Sequence, residues 1–447
     1  MKTSNSSNKL TDTASHPSAY KLISVELSTA SGRILDIMPL VTALKITESI
    51  YMFSLLLEID IRDTVNLFEE VRISGQEKLK VTLSRKVAGG KSDKISKTFY
   101  VSEIPTYGKT ADHVQAYIIK GVSEHAFVNS VSTISRSTKG SLVKEIQNIV
   151  KRDLRYDGIV ETEADSKGNV RAIIPTMKPF TAITWLLRRS YNEGASPVFA
   201  YETLEGFNIK SYHALAKAAP LEGTYKLNFL QKANPNSTEG YDEMRYKIIS
   251  MASNINNSKY LASMKGAYAS TTRVLDIATK RYYDVKFDYI NKHSSMPTVD
   301  SKNKLLSGSF SIKEQSLNHH HDSIYIYLNE NSKAHESYQN YHYPAIQSIG
   351  TNLSILENLD TIKHEIQLYG DVNINPGKKM RITAPKSIDP QVFKNIKEKQ
   401  AKKSIMEDMM VSGTYLITSV VHRFSDKYTC DVALKKDDSY YNLDEKN

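Results

Sequence analysis

Two triplets, Gly90-Lys91-Ser92 and Gly108-Lys109-Thr110, end the way a phosphate-binding loop ends. Such a loop also needs a glycine five positions before its second glycine, so that backbone N–H groups converge on the phosphates. Those positions hold Arg85 and Glu103, and both triplets lie in β-patterned sequence instead of ahead of a helix. Nucleotide binding is therefore not expected. His335-Glu336 and His364-Glu365 open like a zinc-protease helix, but the second histidine, one turn on, falls on Gln339 and Leu368. Two ligands on one helical face are what that motif supplies, so neither pair carries it. His319, His320 and His321, with Asp322, form a local cluster of metal-capable side chains. Consecutive strand residues point to opposite faces, so a solvated loop is the stronger reading, and no metal or other cofactor is expected. Neither G-x-S-x-G nor G-x-G-x-x-G occurs. Glycosidase carboxylates leave no spacing signature in a sequence. Cys430 is the single cysteine, which excludes an intramolecular disulfide or a multi-cysteine zinc site. It sits on a core-facing strand position and reads as buried and inert. No catalytic residue is assigned, and the expectation is a protein that is not an enzyme.

The chain has 447 residues, enough for about three domains at roughly 150 residues each. With 19 Gly, 13 Pro, 40% hydrophobic and 24% charged residues, the composition is that of a folded chain, neither collagen-like nor low-complexity. The longest apolar run, around Met52 to Leu57, stops at Glu58, well short of the ~20 residues of a membrane span. The opening MKTSNSSNKLTDTASHPS has no apolar signal region. It reads as a flexible arm that orders against a partner if at all, on a chain made in the cytosol. Fifty-nine Lys+Arg against 49 Asp+Glu give +10. The basic residues are not gathered into a stripe with aromatics, as a nucleic-acid surface would gather them. The densest run, Lys394, Lys397, Lys399, Lys402 and Lys403, also holds Glu398 and reads as a solvated segment. Tyrosine outnumbers phenylalanine 27 to 12. Side chains apolar in body and wet at the tip suit interfaces, a hint of assembly.

From Tyr20 to about Ser123 the hydrophobic period is two. Ile23, Val25 and Leu27 alternate with polar neighbours. Phe53, Leu55, Leu57, Ile59 and Ile61 share one face, and Leu79, Val81 and Leu83 another. Gly89-Gly90 sits where a hairpin should turn into a strand at Lys97 to Ile104, with the next at Val114 to Val122. Short antiparallel strands in succession favour a barrel or sandwich. Leu142, Ile146, Ile149, Val150 and Leu154 then recur at helical spacing behind a cap at Ser141. A second helix is predicted from about Thr181 through Leu187 to a glycine stop at Asn192-Glu193-Gly194. A strand pair, Pro197 to Glu202 and Phe207 to Ser211, turns at Glu205-Gly206. This is an α+β module. Strand patterning returns at Arg245 to Met251 and Arg273 to Tyr289. A polar stretch from Asn291 to about Asp360 reads as insertion or long loops. Strands are expected again at Lys363 to Tyr369, Lys379 to Thr383, Thr414 to Val421 and Lys427 to Leu434.

This last region carries a recognisable pattern. GDVNINPGKK is followed by MRI, and SGTYLITSVVHRF by KYTCDVALKKD. Gly370, Asp371, Pro376, Gly377, Gly413, Tyr415, Val420, His422 and Phe424 occupy a Gly-Asp strand end, a Pro-Gly turn, a Gly-x-Tyr strand and a Val-x-His-x-Phe stretch. Pro-Gly supplies the φ pair of a type II turn. The pattern resembles the hub family of contractile injection machines: the central baseplate hub of T4-like phage tails and the hub part of type VI secretion spike proteins. VSEHAFVNSVSTISRSTKGSLVKEI and PFTAITWLLRRSYNEGASPVFAYE resemble that family's helical insertion. ASTTRVLDIATKRYYDVKFDY resembles the strands that open its second barrel.

The resemblance implies a β-rich α+β fold, with two similar antiparallel, tail-tube-like β-barrel domains and an α+β insertion between and within them. The organisation it implies runs as an N-terminal arm (1–19), a first barrel (20–124), an α+β insertion (125–240) and the first part of a second barrel (241–290). An insertion (291–360), the rest of that barrel (361–436) and a tail (437–447) follow. It implies a homotrimeric, pseudo-six-fold ring in a virion baseplate, assembled in the host cytoplasm and joining the hexameric tail tube to the three-fold central spike. Partners would be tube proteins, the spike protein, a tape-measure protein and baseplate wedge proteins, with genomic DNA only passing through the lumen and no membrane. His422 looks structural in this setting. A nucleic-acid-binding protein, a hub of another system such as type VI secretion, and a spike-associated hydrolase are the alternatives.

Overall fold

The computed structural model describes residues 16–71, 73–86, 92–162, 170–190, 196–227, 238–255, 259–299, 311–312, 315–316, 319–331, 344–386, 407–408 and 411–437. The expected turn at Gly89-Gly90, the glycine stop at 192–194, His335-Glu336 and the lysine run at 394–403 lie outside the described residues.

The period-two stretch folds as β1 (Lys21–Ser28), β2 (Ile34–Asp36), β3 (Val41–Ser49), β4 (Leu56–Asp63), β5 (Lys78–Lys86), β6 (Ser92–Ala111) and β7 (Val114–Ser123), with a short helix α1 (Leu67–Val71). The alternation sets the faces: Val25, Leu27, Leu57, Ile59, Leu79, Val81 and Leu83 are all buried. The α+β module follows as α2 (Glu124–Val131), β8 (Ile134–Gly140), α3 (Leu142–Asn148), β9 (Val160–Thr162), β10 (Val170–Met177), α4 (Pro179–Leu187), β11 (Val198–Glu202), β12 (Phe207–Ser211) and α5 (Tyr212–Lys217). Ser141 Oγ caps α3, accepting from Lys144 N. A π-turn at Ile149–Asp153 then keeps Ile149, Val150 and Leu154 in the core. Helix α4 starts earlier than predicted because Pro179 suits a first helical turn, and it ends at Leu187 with Arg188 as its cap.

Beyond a short β13 (Tyr225–Lys226), helix α6 (Thr238–Arg245) precedes β14 (Ile248–Ile255). Arg245, expected to open that strand, therefore ends a helix instead, where its guanidinium reaches Asp371. Next come α7 (Lys259–Met264), β15 (Ala269–Asp276), β16 (Arg281–Asp288), α8 (Tyr289–His293), β17 (Ser311–Ile312), β18 (Gln315–Ser316), β19 (Tyr325–Glu330) and α9 (Pro344–Leu359). The chain closes with β20 (Ile362–Tyr369), β21 (Lys379–Thr383), β22 (Gly413–Phe424) and β23 (Tyr428–Lys436).

The fold is β-rich α+β, built on one large sheet that runs β14-β20-β23-β22-β3-β4-β7-β6-β5-β1-β2, with β13 and β21 off that path. The two β regions thus meet strand to strand, β22 against β3, from Ser419↔Ser49 to Phe424↔Leu44. One hydrophobic core serves both and includes Leu44, Ile59, Phe99, Ile366, Val420 and Val432. A second, holding Ile146, Val150, Ile183, Leu186 and Phe207, belongs to the α+β module.

Three expectations are corrected. The Arg273 to Tyr289 stretch does not join the large sheet: β15 and β16 form a hairpin that pairs with parallel β19 in a separate sheet. Alternation reports a strand, not which sheet takes it. The polar stretch before Asp360 contains the 16-residue helix α9, which packs on that hairpin. The end of the N-terminal arm is ordered on its own chain: His16 stacks edge-on against Tyr369 at 4.9 Å, and Ser18 O accepts from Tyr428 N at 3.0 Å.

Because one core spans both β regions, they should unfold together. Leu57→Ala empties a fully buried position and should cost about 2–5 kcal/mol. Hydrogen exchange should then speed up in β20 and β23 as much as in β4. Protection retained in β20 and β23 alone would show two independent units.

Candidate functional site

Of the nine pattern residues, Val420, His422 and Phe424 lie on the stretch of β22 that pairs with β3, and the other six lie at the end of β20, before β21 and at the start of β22. Pro376 is buried, and Lys378 N donates to Asn375 O across the turn at 3.3 Å. Gly377 has φ +84°, the left-handed value of a type II turn, and Tyr201 of the α+β module lies where a side chain would stand. Gly370 packs beneath the Tyr428 ring, which a Cβ would strike. Gly413 begins β22 opposite Ile382. Val420 is fully buried, and Phe424 stacks on Tyr428 with centroids 4.3 Å apart. Tyr415 Oη donates to Val411 O at 2.7 Å and accepts from His364 Nε2 at 3.0 Å. His364 Nδ1 is then free to accept from Ser253 Oγ at 2.9 Å. Burial, helped by the Lys436 ammonium, pulls the His364 pKa down to about 4.

His422 is also fully buried. Its Nε2 donates to Glu48 Oε1 at 2.6 Å, and its Nδ1 lies 2.8 Å from Tyr428 Oη and 3.3 Å from Cys430 Sγ. Burial opposes the imidazolium, but Cys430 and Glu48 outweigh it and push the His422 pKa up to about 10. Glu48 is equally buried, and its other oxygen accepts from Leu204 N at 3.0 Å. Asp371 takes Arg245 Nε and Nη2 on Oδ2 at 3.0 and 2.8 Å, and Asn373 N and Nδ2 on Oδ1. Arg85 Nη1 stands 2.9 Å from Oδ1. Burial raises the Asp371 pKa, yet the two guanidinium groups and the Asn373 N–H bring it below the usual aspartate range.

A second buried cluster joins the first β region to the module. Glu202 Oε2 accepts from Leu55 N at 2.9 Å and Ser123 Oγ at 2.5 Å. His125 Nε2 donates to Phe53 O at 2.7 Å, 3.7 Å from the same carboxylate.

Sequence reasoning missed Glu48, Arg85, Glu202 and Arg245. For the first two the signal was present. Leu44, Ile46 and Glu48 share one strand parity, as do Leu79, Val81, Leu83 and Arg85, so each charge follows an apolar series onto the core face. The rejected motifs fall where they can do little. Gly108-Lys109-Thr110 is inside β6, and His364-Glu365 inside β20. His319 is exposed, while His320 and His321 are half-buried beside a single 3-10 turn. Among the described residues no three His, Cys, Asp or Glu side chains are grouped to hold a metal. No described helix is long and apolar enough to cross a membrane. A cavity of about 20 Å³, the size of one water, lies between Tyr212, Tyr289, Ile355 and Asp437 and is not lined by the pattern residues.

No protein-family model matches the chain, and no curated protein matches it. Among solved structures, the fold is shared with the tail protein from Neisseria meningitidis MC58, at 10% identity over 94% of this chain and 97% of that one, TM-score 0.51. The 43 kDa tail protein of prophage MuSo2 from Shewanella oneidensis aligns at 11% identity over 92% and 97%, TM-score 0.48. Prophage tail protein gp18 from Listeria monocytogenes EGD-e aligns at 8% identity over 92% and 94%, TM-score 0.45.

The two histidines give stability opposite pH limits. His422 is charged in the fold, so its contribution is complete below the ordinary value of 6.5 and fades as pH rises towards about 10. His364 is neutral in the fold, so its contribution is complete above 6.5 and fades as pH falls towards about 4. The urea midpoint should peak near pH 6.5 to 7. Glu48→Gln, which leaves one member of a buried pair, should cost about 3–5 kcal/mol at neutral pH and shrink the alkaline decline, with Cys430 left to hold the imidazolium. An alkaline limb unchanged in Glu48→Gln would remove His422 as its cause.

Proposed function

We propose that this chain is a structural protein of a contractile phage tail, the baseplate hub. Three copies would close a ring between the hexameric tail tube and the three-fold spike. The observation that carries the reading is the fold, shared along nearly the whole chain with a tail protein, together with the sequence pattern around its seam. A chain with two β regions in one body offers, in three copies, six quasi-equivalent β units. That number meets a six-fold tube on one side and a three-fold spike on the other, through heterologous contacts that close a ring. The Pro-Gly turn and the Asp371 cluster serve rigidity in this reading, and no residue is given a catalytic role.

Such a ring needs contact surface, and the small sheet offers some. Tyr282, Leu275, Tyr325 and Tyr327 share one face across β16, β15 and β19 and are exposed, Tyr282 and Tyr327 each by 73%. Arg273 lies among them, bound to Asp284 through two contacts of 2.8 Å. Exposed apolar surface with aromatic anchors suits contact with neighbouring tail proteins.

Particle images and mass measurement of the chain mixed with its tube and spike proteins should show three copies per ring. Tyr282→Asp with Tyr327→Asp should weaken incorporation tenfold or more, with little change in melting temperature, since both side chains stand in solvent. A chain that stays monomeric with both partners present, or that binds DNA with steep salt dependence instead, would overturn the reading.

A further inference from the structure

Arg85 closes the core face of β5, behind Leu83, and is only 3% exposed. Its guanidinium has five N–H donors and no acceptor. Nη1 approaches Asp371 Oδ1 at 2.9 Å but out of line for a hydrogen bond, and Nε, Nη1 and Nη2 find no accepting atom among the described residues. Asp371 has little left to offer, because Arg245 and Asn373 already occupy both its oxygens. Two guanidinium groups therefore share one carboxylate, and the better hydrogen-bonded of the two, Arg245, is the more exposed. The excess positive charge falls on the buried one. Tyr241 stands one helical turn before Arg245 on α6, on the side that reaches Asp371, and is buried with no hydrogen-bond partner for its hydroxyl among the described residues. The neighbouring Tyr428 Oη is already engaged by His422.

A buried guanidinium that must share its one carboxylate with a second guanidinium, and whose nitrogens make no hydrogen bond, is a costly arrangement. Water would satisfy the N–H groups but bring no counter-charge. A protein carboxylate from outside would have to open the core to arrive. We propose that a small monovalent anion of halide size binds the Arg85 guanidinium through Nε and Nη2, with the Tyr241 hydroxyl as a further donor. The site is independent of the tail reading, because it concerns the internal charge balance of a single chain. Its occupant would lock β5 to the Gly370-Asp371 strand end as a bound ligand stabilises any fold that holds it.

The test is thermal unfolding of the full chain at constant ionic strength, with chloride or bromide exchanged for the bulky gluconate ion. Above the dissociation constant, each tenfold rise in halide should shift the unfolding equilibrium about tenfold. Tyr241→Phe should weaken that response, Arg85→Met should abolish it, and Arg62→Met, at an exposed position of β4, should leave it intact. Should Arg85→Met fail to fold, a bromide-soaked crystal of the unaltered protein decides: an anomalous peak within hydrogen-bond distance of Arg85 supports the proposal. Identical stability in halide and gluconate, or water density without bromide at Arg85, would overturn it.

Discussion

The ion pair between Glu48 and His422 is the constraint on which the rest of the molecule depends. Both side chains are fully buried, and they stand on strands 374 residues apart in sequence. Neither charge is tolerable alone in the core, so the pair is satisfied in one register of β22 against β3. A slip of one residue would turn His422 outward, leave Glu48 unpaired, and expose Val420 and Phe424 with it. On its other side β22 pairs with β23, which places Tyr428 on His422 and Phe424, and Tyr428 in turn covers Gly370 and donates its backbone N–H to Ser18 O. One local match therefore propagates into the join between two β regions.

How much of this was legible follows from how far each determinant reaches along the chain. Strand faces are set by neighbours two residues away, so the alternation from Val25 to Leu83, and again from Tyr428 to Leu434, gave correct inward faces. Ile23, expected with Val25 and Leu27, is instead 41% exposed because the β1–β5 register shifts between Leu22 and Ser24. The Ser141 cap was legible for the same reason. Sheet membership is decided by partners far off, and there the reading of 273–289 failed: nothing in that segment announces that β15 pairs with β19 and packs under α9. The pattern residues from Gly370 to Phe424 could be picked out, but their partners Arg85, Arg245 and Glu48 lie far upstream. Glu48 and Arg85 did leave a trace, as charges in core parity at strand ends. Asp63, after Leu57, Ile59 and Ile61, repeats it and accepts from Tyr117 Oη at 3.2 Å.

The α+β module is tied to the sheet by polar contacts at several points. Glu202, at the end of β11, accepts from Leu55 N and Ser123 Oγ. Leu204 N donates to Glu48, Lys378 bridges to Glu205 at 2.8 Å, and Tyr201 fills the space above Gly377. The turn between β11 and β12 thus touches both the histidine pair and the Pro-Gly turn. A module fixed this way moves with the sheet, because each contact buries a donor or acceptor that would be stranded by rotation.

Geometry alone would invite a different interpretation of the seam. Cys430, His422 and Glu48 stand in the order thiol, imidazole, carboxylate, with spacings of 3.3 and 2.6 Å, as in a nucleophilic triad. What separates this arrangement from a working one is access and occupancy. Cys430 is fully buried in the core beneath β23, so no carbonyl carbon can approach its sulfur. His422 is already protonated in the fold, so its ring has no free nitrogen to take the thiol proton. The pair is also sealed in the hydrophobic core, where moving charge onto a departing group has no solvent or substrate to receive it. The same three residue types that activate a sulfur at a cleft hold a strand register when buried, and burial is what selects between the two.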